Sequence, residues 1–516
     1  MLSPIAISIL FAALVKAQNH THHRTIHIPS SAPDSAVAVP EDFFSFGFES
    51  AFLPNFNNDF SDNVVNSVGS RMSKPLIIRI GGTGGDLVLV NDDLKNATKC
   101  IAGPSCPKSS KDTFELGPAY FDGFKRFQKA AMTIQAPIGD KNYTMENTMA
   151  YIRHAWEALG QDRVAAIALG NEPNFYDYGV QEYVNRALNI MGNVTEEFNL
   201  KGDAAKIFQA GEISDKGSAT NHPFGLADVF KSGINKNGGI KSAAEHYYQV
   251  GKKLSAWDSK AMQSTIMNHS YILEHLAPYE QAMSDIKNQD VPFVLSEVGS
   301  VLGGAPIKFS GGFGAAMWAV DMHLAAMARG IQRVTNTERP EAAHAFWVPD
   351  TTGPLTKRPV VQGVFPAAPF IADFVGKDGK VVEIPLKGGN ELFTAYAMYN
   401  QQTSKVDKVA LINLKQWDES SKAHRGSATI TLNVGNDVKS AIVQRMKSRK
   451  GSSAVGFDLG GAGENVTWAG EQWTYAVDQG KGHFIDGHKV EEQVKVNNGK
   501  VVVHVPDTEA VIVFFN

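Results

Sequence analysis

The chain has 516 residues, 43% hydrophobic and 20% charged, which is enough apolar content to bury a core and too much for a disordered polymer. Its 49 basic and 53 acidic side chains leave a formal charge of −4, which speaks against a protein that coats nucleic acid or another polyanion. Two cysteines exclude a disulfide scaffold and any multi-cysteine zinc or iron–sulfur site.

In chain order, residues 1–17 read as a secretory signal. An apolar run over 4–15 leads into Val15-Lys16-Ala17, small at −3 and −1, and is too short to span a bilayer. No later apolar run reaches about 18 residues without charge, so no membrane anchor is expected. Export agrees with the Asn-x-Ser/Thr sequons at Asn19, Asn96, Asn142, Asn193, Asn268 and Asn465. In an oxidising compartment Cys100 and Cys106 are expected to pair and staple a small loop. His20, His22, His23 and His27 follow the cleavage point, where a solvated amino terminus explains them better than a metal, and no metal or cofactor is expected.

Residues 18–42 read as an extended segment, with 32–40 a candidate extra strand for the C-terminal domain. Residues 43–349 then alternate short apolar runs with helical ones. Candidate strands are 43–48, 76–80, 131–135, 164–169, 206–209, 240–247, 292–296 and 343–348. Val164-Ala-Ala-Ile-Ala-Leu169 is apolar without alternation, as in a parallel sheet covered on both faces. The segment 147–159 places apolar residues at 149, 152, 156 and 159, one helical face, and 313–331 is a longer and more apolar helix. Eight strand–helix units predict a (β/α)₈ TIM barrel. Residues 350–516 carry short alternating strands at 394–398, 408–414, 428–434, 441–446, 501–505 and 510–515 with glycine-rich breaks, which predicts a C-terminal antiparallel β-sandwich domain.

Catalytic groups of such a barrel stand at the C-terminal ends of its strands. Two strand ends carry a glutamate: Glu172 after the fourth candidate strand and Glu297 after the seventh. A carboxylate at the end of a buried apolar strand costs desolvation energy unless it is paired or used. Glycoside hydrolysis needs two such groups, an acid for the leaving oxygen and a carboxylate that attacks or activates water. The alternative, in which each glutamate caps a helix or pairs with Arg79, is plausible for one placement and less so for both. No dinucleotide fingerprint, phosphate loop, zinc-protease helix or serine-nucleophile elbow occurs.

The stretches Ile77-Ile-Arg-Ile-Gly-Gly-Thr-Gly-Gly-Asp86, Ala168-Leu-Gly-Asn-Glu-Pro-Asn174, Ser296-Glu-Val-Gly-Ser300 and Gly314-Ala-Ala-Met-Trp-Ala-Val-Asp-Met-His-Leu324 resemble glycoside hydrolase family 79, the β-glucuronidase and heparanase family. The resemblance covers nearly the whole chain after the signal. It implies a retaining exo-β-glycosidase, with an oligosaccharide or glycoconjugate as its substrate, Glu172 as acid/base and Glu297 as nucleophile. It also implies Asn171 at the sugar 2-hydroxyl, Arg79 orienting Glu297, and Tyr247, with Tyr248 as runner-up, donating a hydroxyl to the nucleophile. Glu49 and Asp86 are candidates to line the sugar subsite, and Trp347, beside Phe346, is a candidate sugar platform; solvated loops and core packing are equally open for these. Family members are expected to hold a uronic carboxylate with tyrosines beyond strands seven and eight, yet no tyrosine occurs between 298 and 395, and Thr335-Asn-Thr-Glu-Arg-Pro-Glu341 replaces the expected His- and Gly-bearing stretch. A uronic acid would have to meet Lys308, Arg333, Arg339, His344 or glycine N–H groups around Gly303-Gly304.

Overall fold

A computed structural model describes residues 21–103, 111–139, 143–214, 223–251, 254–350, 356–389 and 391–515. The signal segment, Asn19, His20, Cys106 and Asn142 lie outside the described residues.

Eight parallel strands close into a barrel in sequence order: β1 (Phe44–Glu49), β2 (Ile77–Gly81), β3 (Ala131–Ala136), β4 (Val164–Leu169), β5 (Phe208–Ile213), β6 (Ile240–Val250), β7 (Phe293–Val301) and β8 (Val334–Glu338). The apolar runs form strands because both their faces are covered, by inward-packed side chains on one side and helices on the other. The helix Met145–Leu159 starts where the Thr144 hydroxyl accepts the Asn147 N–H at 3.1 Å, and it buries Met149, Ile152, Trp156 and Leu159, the face set by the periodicity.

The eighth strand departs from expectation. It lies at Val334–Glu338, whereas 343–348 contributes only Trp347–Val348 to a two-stranded ladder with Val360–Val361. Val-Thr-Asn-Thr-Glu reads as a loop in sequence, yet all five residues are buried. The barrel interior supplies their partners: Thr335 Oγ1 donates to Ser45 Oγ at 3.2 Å and Asn336 Nδ2 to the Ser45 carbonyl at 3.2 Å. Trp347 is consequently no sugar platform. It is fully buried against Phe46, Phe48 and Phe56, its Nε1 donates to Ser61 Oγ at 3.1 Å, and Phe346 is buried beside it.

Two sheets form the second domain. The larger runs Val37–Val39, Gly379–Glu383, Phe393–Asn400, Val406–Asn413, Glu509–Phe515, Ser440–Lys447, with shorter strands beyond; the smaller joins Thr21–His27, Ser427–Asn433 and Lys500–Pro506. Ile26, Leu411, Ile430, Val503 and Val511 pack between them. Both N-terminal strands belong here, Thr21–His27 through a parallel pairing with Ser427–Asn433. Asn96, Asn193 and Asn465 are exposed. Asn268 is not a free acceptor: it caps a helix, accepting the Tyr271 N–H at 3.0 Å and donating to Glu391 Oε1 at 3.0 Å. Among the described residues no helix is long and apolar enough to cross a membrane.

The helix Phe313–Ala328 is buried on every side through Met327, as befits a segment apolar all round. It lies between the barrel and the second domain, touching β7 and the strands Gly379–Glu383 and Val406–Asn413. Its single carboxylate, Asp321, accepts from His269 Nδ1 (2.8 Å), Thr394 Oγ1 (2.8 Å) and Tyr396 OH (2.9 Å), while His269 Nε2 meets Glu383 Oε1 at 3.0 Å. Burial alone would lower the His269 imidazole, but Asp321 and Glu383 raise it to about 10, so it is a buried cation at neutral pH. Replacing Asp321 by Asn removes the fully buried half of that pairing and leaves only Glu383 against the cation, which is expected to destabilise the protein by about 3 kcal/mol, measurable as a lower thermal midpoint. A pKa raised on folding stabilises fully below the unfolded value of 6.5 and is lost as pH rises through about 10. The wild-type midpoint should therefore fall across that window more steeply than that of His269→Gln.

Candidate active site

Five strand ends converge on one cluster. From β2, Arg79 points into the barrel mouth and is only 4% exposed. Its Nη1 donates to Glu297 Oε2 at 3.1 Å; its Nη2 serves Asn171 Oδ1 at 2.7 Å and Glu212 Oε2 at 2.9 Å. The guanidinium fork thus ties together the ends of β4, β5 and β7.

The turn after β4 is built for this placement. Gly170 has φ +90°, and a Cβ there would lie 2.1 Å from Ile138 Cγ2, so only glycine fits. Glu172 is itself left-handed, at φ 46°, ψ 49°, a conformation a non-glycine residue holds only when its surroundings enforce it. They do: the Glu172 N–H donates to the Glu212 carbonyl at 2.9 Å, Pro173 opens a short 3₁₀ turn, and the Asn171 N–H donates to Asp86 Oδ2 at 3.0 Å. Asp86 also accepts from the Ile138 N–H at 2.7 Å and from Tyr176 OH at 2.7 Å. Only 1% exposed and with both oxygens engaged, Asp86 fastens the turn and does not line a sugar subsite.

Glu172 and Glu297 remain open to the mouth, 21% and 14% exposed, above a closed floor formed by Arg79, Glu212 and His246. One oxygen of each glutamate and one nitrogen of His246 all lie within 4.8 Å of one another. His246, from β6, bridges the carboxylates with Nδ1 at 3.2 Å from Glu172 Oε1 and Nε2 at 3.1 Å from Glu212 Oε2. Glu212 further accepts from Ser296 Oγ at 2.8 Å and Gln209 Nε2 at 2.5 Å. Tyr248 OH donates to Glu297 Oε1 at 2.7 Å. Tyr247, placed first by sequence, faces the other way. Its hydroxyl bonds Gln249 in the core, because neighbours on a strand point to opposite sides.

The charges sort themselves accordingly. Burial alone would raise the Glu297 carboxyl, but the His246 and Arg79 charges and the Tyr248 hydroxyl outweigh it and hold it down at about 2. Glu212, where burial is again overcome by Arg79 and His246, also sits at about 2. Burial would lower His246, yet Glu297, Glu172 and Glu212 lift it to about 9. Glu49, at the end of β1, is pushed up to about 8 by burial and accepts the Gly84 N–H at 2.7 Å. The trio Glu172, His246 and Glu297 offers three ligand atoms within 4.8 Å of one another, and a metal bound there would have to displace a His246 proton.

Sequence reasoning brought Arg79, Asn171, Glu172 and Glu297 to one place and missed Glu212 and His246. The signal for Glu212 was available: a third glutamate at the end of Phe208-Gln-Ala-Gly-Glu-Ile213, hidden because the strand was expected to stop at 209. His246 should titrate near 9 in histidine-detected NMR, and Glu212→Gln should move that titration down. A His246 that is neutral at pH 7 would contradict the assigned cluster.

Residues 395–512 match the family model described as the glycosyl hydrolase family 79 C-terminal beta domain. Over 98% of its length the chain is 25% identical to a β-glucuronidase from Aspergillus niger, covering 98% of that protein, and over 88% it is 24% identical to one from Neurospora crassa, covering 88%. In structure it is similar to a 4-O-α-L-rhamnosyl-β-D-glucuronidase from Fusarium oxysporum 12S (TM-score 0.78, 19% identity, 95% of this chain and 100% of the other). It is also similar to a family 51 arabinofuranosidase from Xanthomonas axonopodis pv. citri (TM-score 0.61, 13% identity, 96% and 100%). Together these matches bear out the resemblance to glycoside hydrolase family 79, and the chain is a glycoside hydrolase.

Proposed function

We propose that the protein is a secreted, retaining exo-β-glucuronidase that releases terminal glucuronic acid, or its 4-O-methyl ether, through a covalent glycosyl-enzyme. The observation that carries the reading is the approach of the Glu172 and Glu297 oxygens to within 4.8 Å. Direct displacement uses carboxyls about 5–5.5 Å apart, whereas an inverting pair needs about 6.5–9.5 Å to seat a water. The signal segment and exposed sequons support export. The substrate follows the names of the β-glucuronidase relatives and the near-neutral charge, which does not suit an endo-enzyme drawn to a sulfated polymer.

In the first step the Glu297 carboxylate, kept ionised by Arg79, His246 and Tyr248, attacks the anomeric carbon while Glu172 gives its proton to the departing oxygen. Attack consumes the negative charge. In the second step Glu172 takes a proton from water, whose oxygen displaces Glu297 and restores the original anomeric configuration. Asn171, its amide oxygen fixed by Arg79, is oriented for the sugar 2-hydroxyl, a contact that strengthens at the oxocarbenium-like transition state. A second reading, an exo-enzyme for a neutral sugar, is favoured by the absence of tyrosine between 298 and 395.

The wild-type enzyme should hydrolyse an aryl β-glucuronide in preference to the β-glucoside and β-xyloside, with the β-anomer appearing first by proton NMR; preference for a neutral glycoside selects the second reading. Glu297→Gln should lower kcat by at least about 10³-fold with unchanged circular dichroism, and wild-type rates in that variant would overturn the mechanism. Tyr248→Phe removes a hydrogen bond that holds Glu297 down, so the acid limb of its pH–rate profile should move to higher pH, while Tyr247→Phe should leave the profile in place.

A further inference from the structure

Resting on the glucuronidase reading, we infer that Arg339 is the residue that recognises the C6 carboxylate of the substrate, in place of the tyrosines the chain lacks. Of the four side chains the sequence offers for this task, three are otherwise engaged or misplaced. Arg333 precedes β8, at the opposite end of the barrel, with Nη2 3.3 Å from Gln209 Oε1 and Nη1 3.9 Å from Asp42 Oδ2. Lys308 lies exposed on the short helix Ile307–Ser310. His344 packs edge-on to the Tyr248 ring and donates from Nδ1 to the Val301 carbonyl at 3.1 Å. Burial holds it neutral, with a pKa lowered to about 3, so it offers a hydroxyl-accepting Nε2 and no charge.

Arg339 immediately follows Glu338, the last residue of β8, and so stands at the catalytic mouth. Its charge acts on Tyr248, Glu49 and Glu297, the ends of β6, β1 and β7, which a guanidinium reaches together only from that mouth. It is nevertheless poorly satisfied. Among the described residues its buried Nε has no hydrogen-bond partner, and the carboxylate oxygen closest to it in an ion pair, Glu341 Oε1, is 3.9 Å from Nη1. No ion pair within 4 Å joins it to Glu49, whose Oε1 accepts the Gly84 N–H at 2.7 Å. A half-buried guanidinium with an idle Nε–H is matched to a planar carboxylate that takes two parallel hydrogen bonds. It also accounts for an enzyme of near-neutral overall charge selecting an anionic sugar through one local cation rather than a basic surface.

The test compares kcat/KM for an aryl β-glucuronide and the matching β-glucoside in the wild type, Arg339→Gln and Arg339→Lys, with thermal midpoints checked. Arg339→Gln should lower the glucuronide value about 100-fold, mostly in KM, and the glucoside value much less, so that the glucuronide-to-glucoside ratio falls at least about 30-fold. Arg339→Lys, which keeps the charge but loses the fork, should fall between. The ratio is the informative readout, because any effect of Arg339 on Glu297 touches both substrates alike. An equal loss on both, or an unchanged ratio, overturns the inference. If the wild type itself prefers the glucoside, the substrate reading fails first; if it prefers the glucuronide and Arg339→Gln keeps that preference, the glucuronidase reading stands without Arg339. Should Arg339→Gln not fold, the ratio in Arg339→Lys decides.

Discussion

One guanidinium organises the barrel mouth. Arg79 is almost wholly buried, an arrangement that costs several kcal/mol for an isolated ion and is sustainable only where its charge and donors are met. Glu297, Glu212 and Asn171 meet the charge and both terminal nitrogens, leaving only Nε without a partner among the described residues, and His246 brings a second positive charge against the same carboxylates. Two cations and two firmly ionised carboxylates therefore balance in a water-poor floor, on which Glu172 stands as the more exposed group. The arrangement fixes the protonation of Glu297 by surroundings rather than by solvent, and it fixes geometry as well, because each bond of Arg79 ends on a different strand.

That dependence explains the local oddities. The left-handed backbone at Glu172 and Glu212 departs from ordinary strand geometry at the two points where a strand end must turn a carboxylate toward the Arg79–His246 pair. Asp86 contributes from behind: by gripping the Asn171 N–H, the Ile138 N–H and the Tyr176 hydroxyl, it holds the β4 turn at the position from which Glu172 reaches His246. Placed beyond the mouth, it still governs where the mouth's groups point.

The apolar strands and the two partly exposed glutamates were legible in the sequence because burial on both faces writes a continuous hydrophobic run, and a carboxylate at its end breaks the pattern visibly. Where the inside of the barrel is polar, that signal fails. Val334–Glu338 has the composition of a loop, and Ser45, the partner of both Thr335 and Asn336, lies almost 300 residues away in sequence, where no local pattern could reveal it. Tyr247 and Tyr248 show a second limit: adjacent residues on a strand differ only in facing, and the register that decides it comes from the neighbouring strand. His246 and Glu212 enter the cluster through contact with each other, which sequence spacing does not express.

The parallel pairing of Thr21–His27 with Ser427–Asn433 joins residues separated by some 400 positions. During synthesis the first of these strands leaves the ribosome long before its partner exists, and Ser427–Asn433 in turn borders Lys500–Pro506 near the other terminus. The small sheet can close only once residue 506 has been made, so Thr21–His27 waits for its partner until after every strand of the barrel has been synthesised.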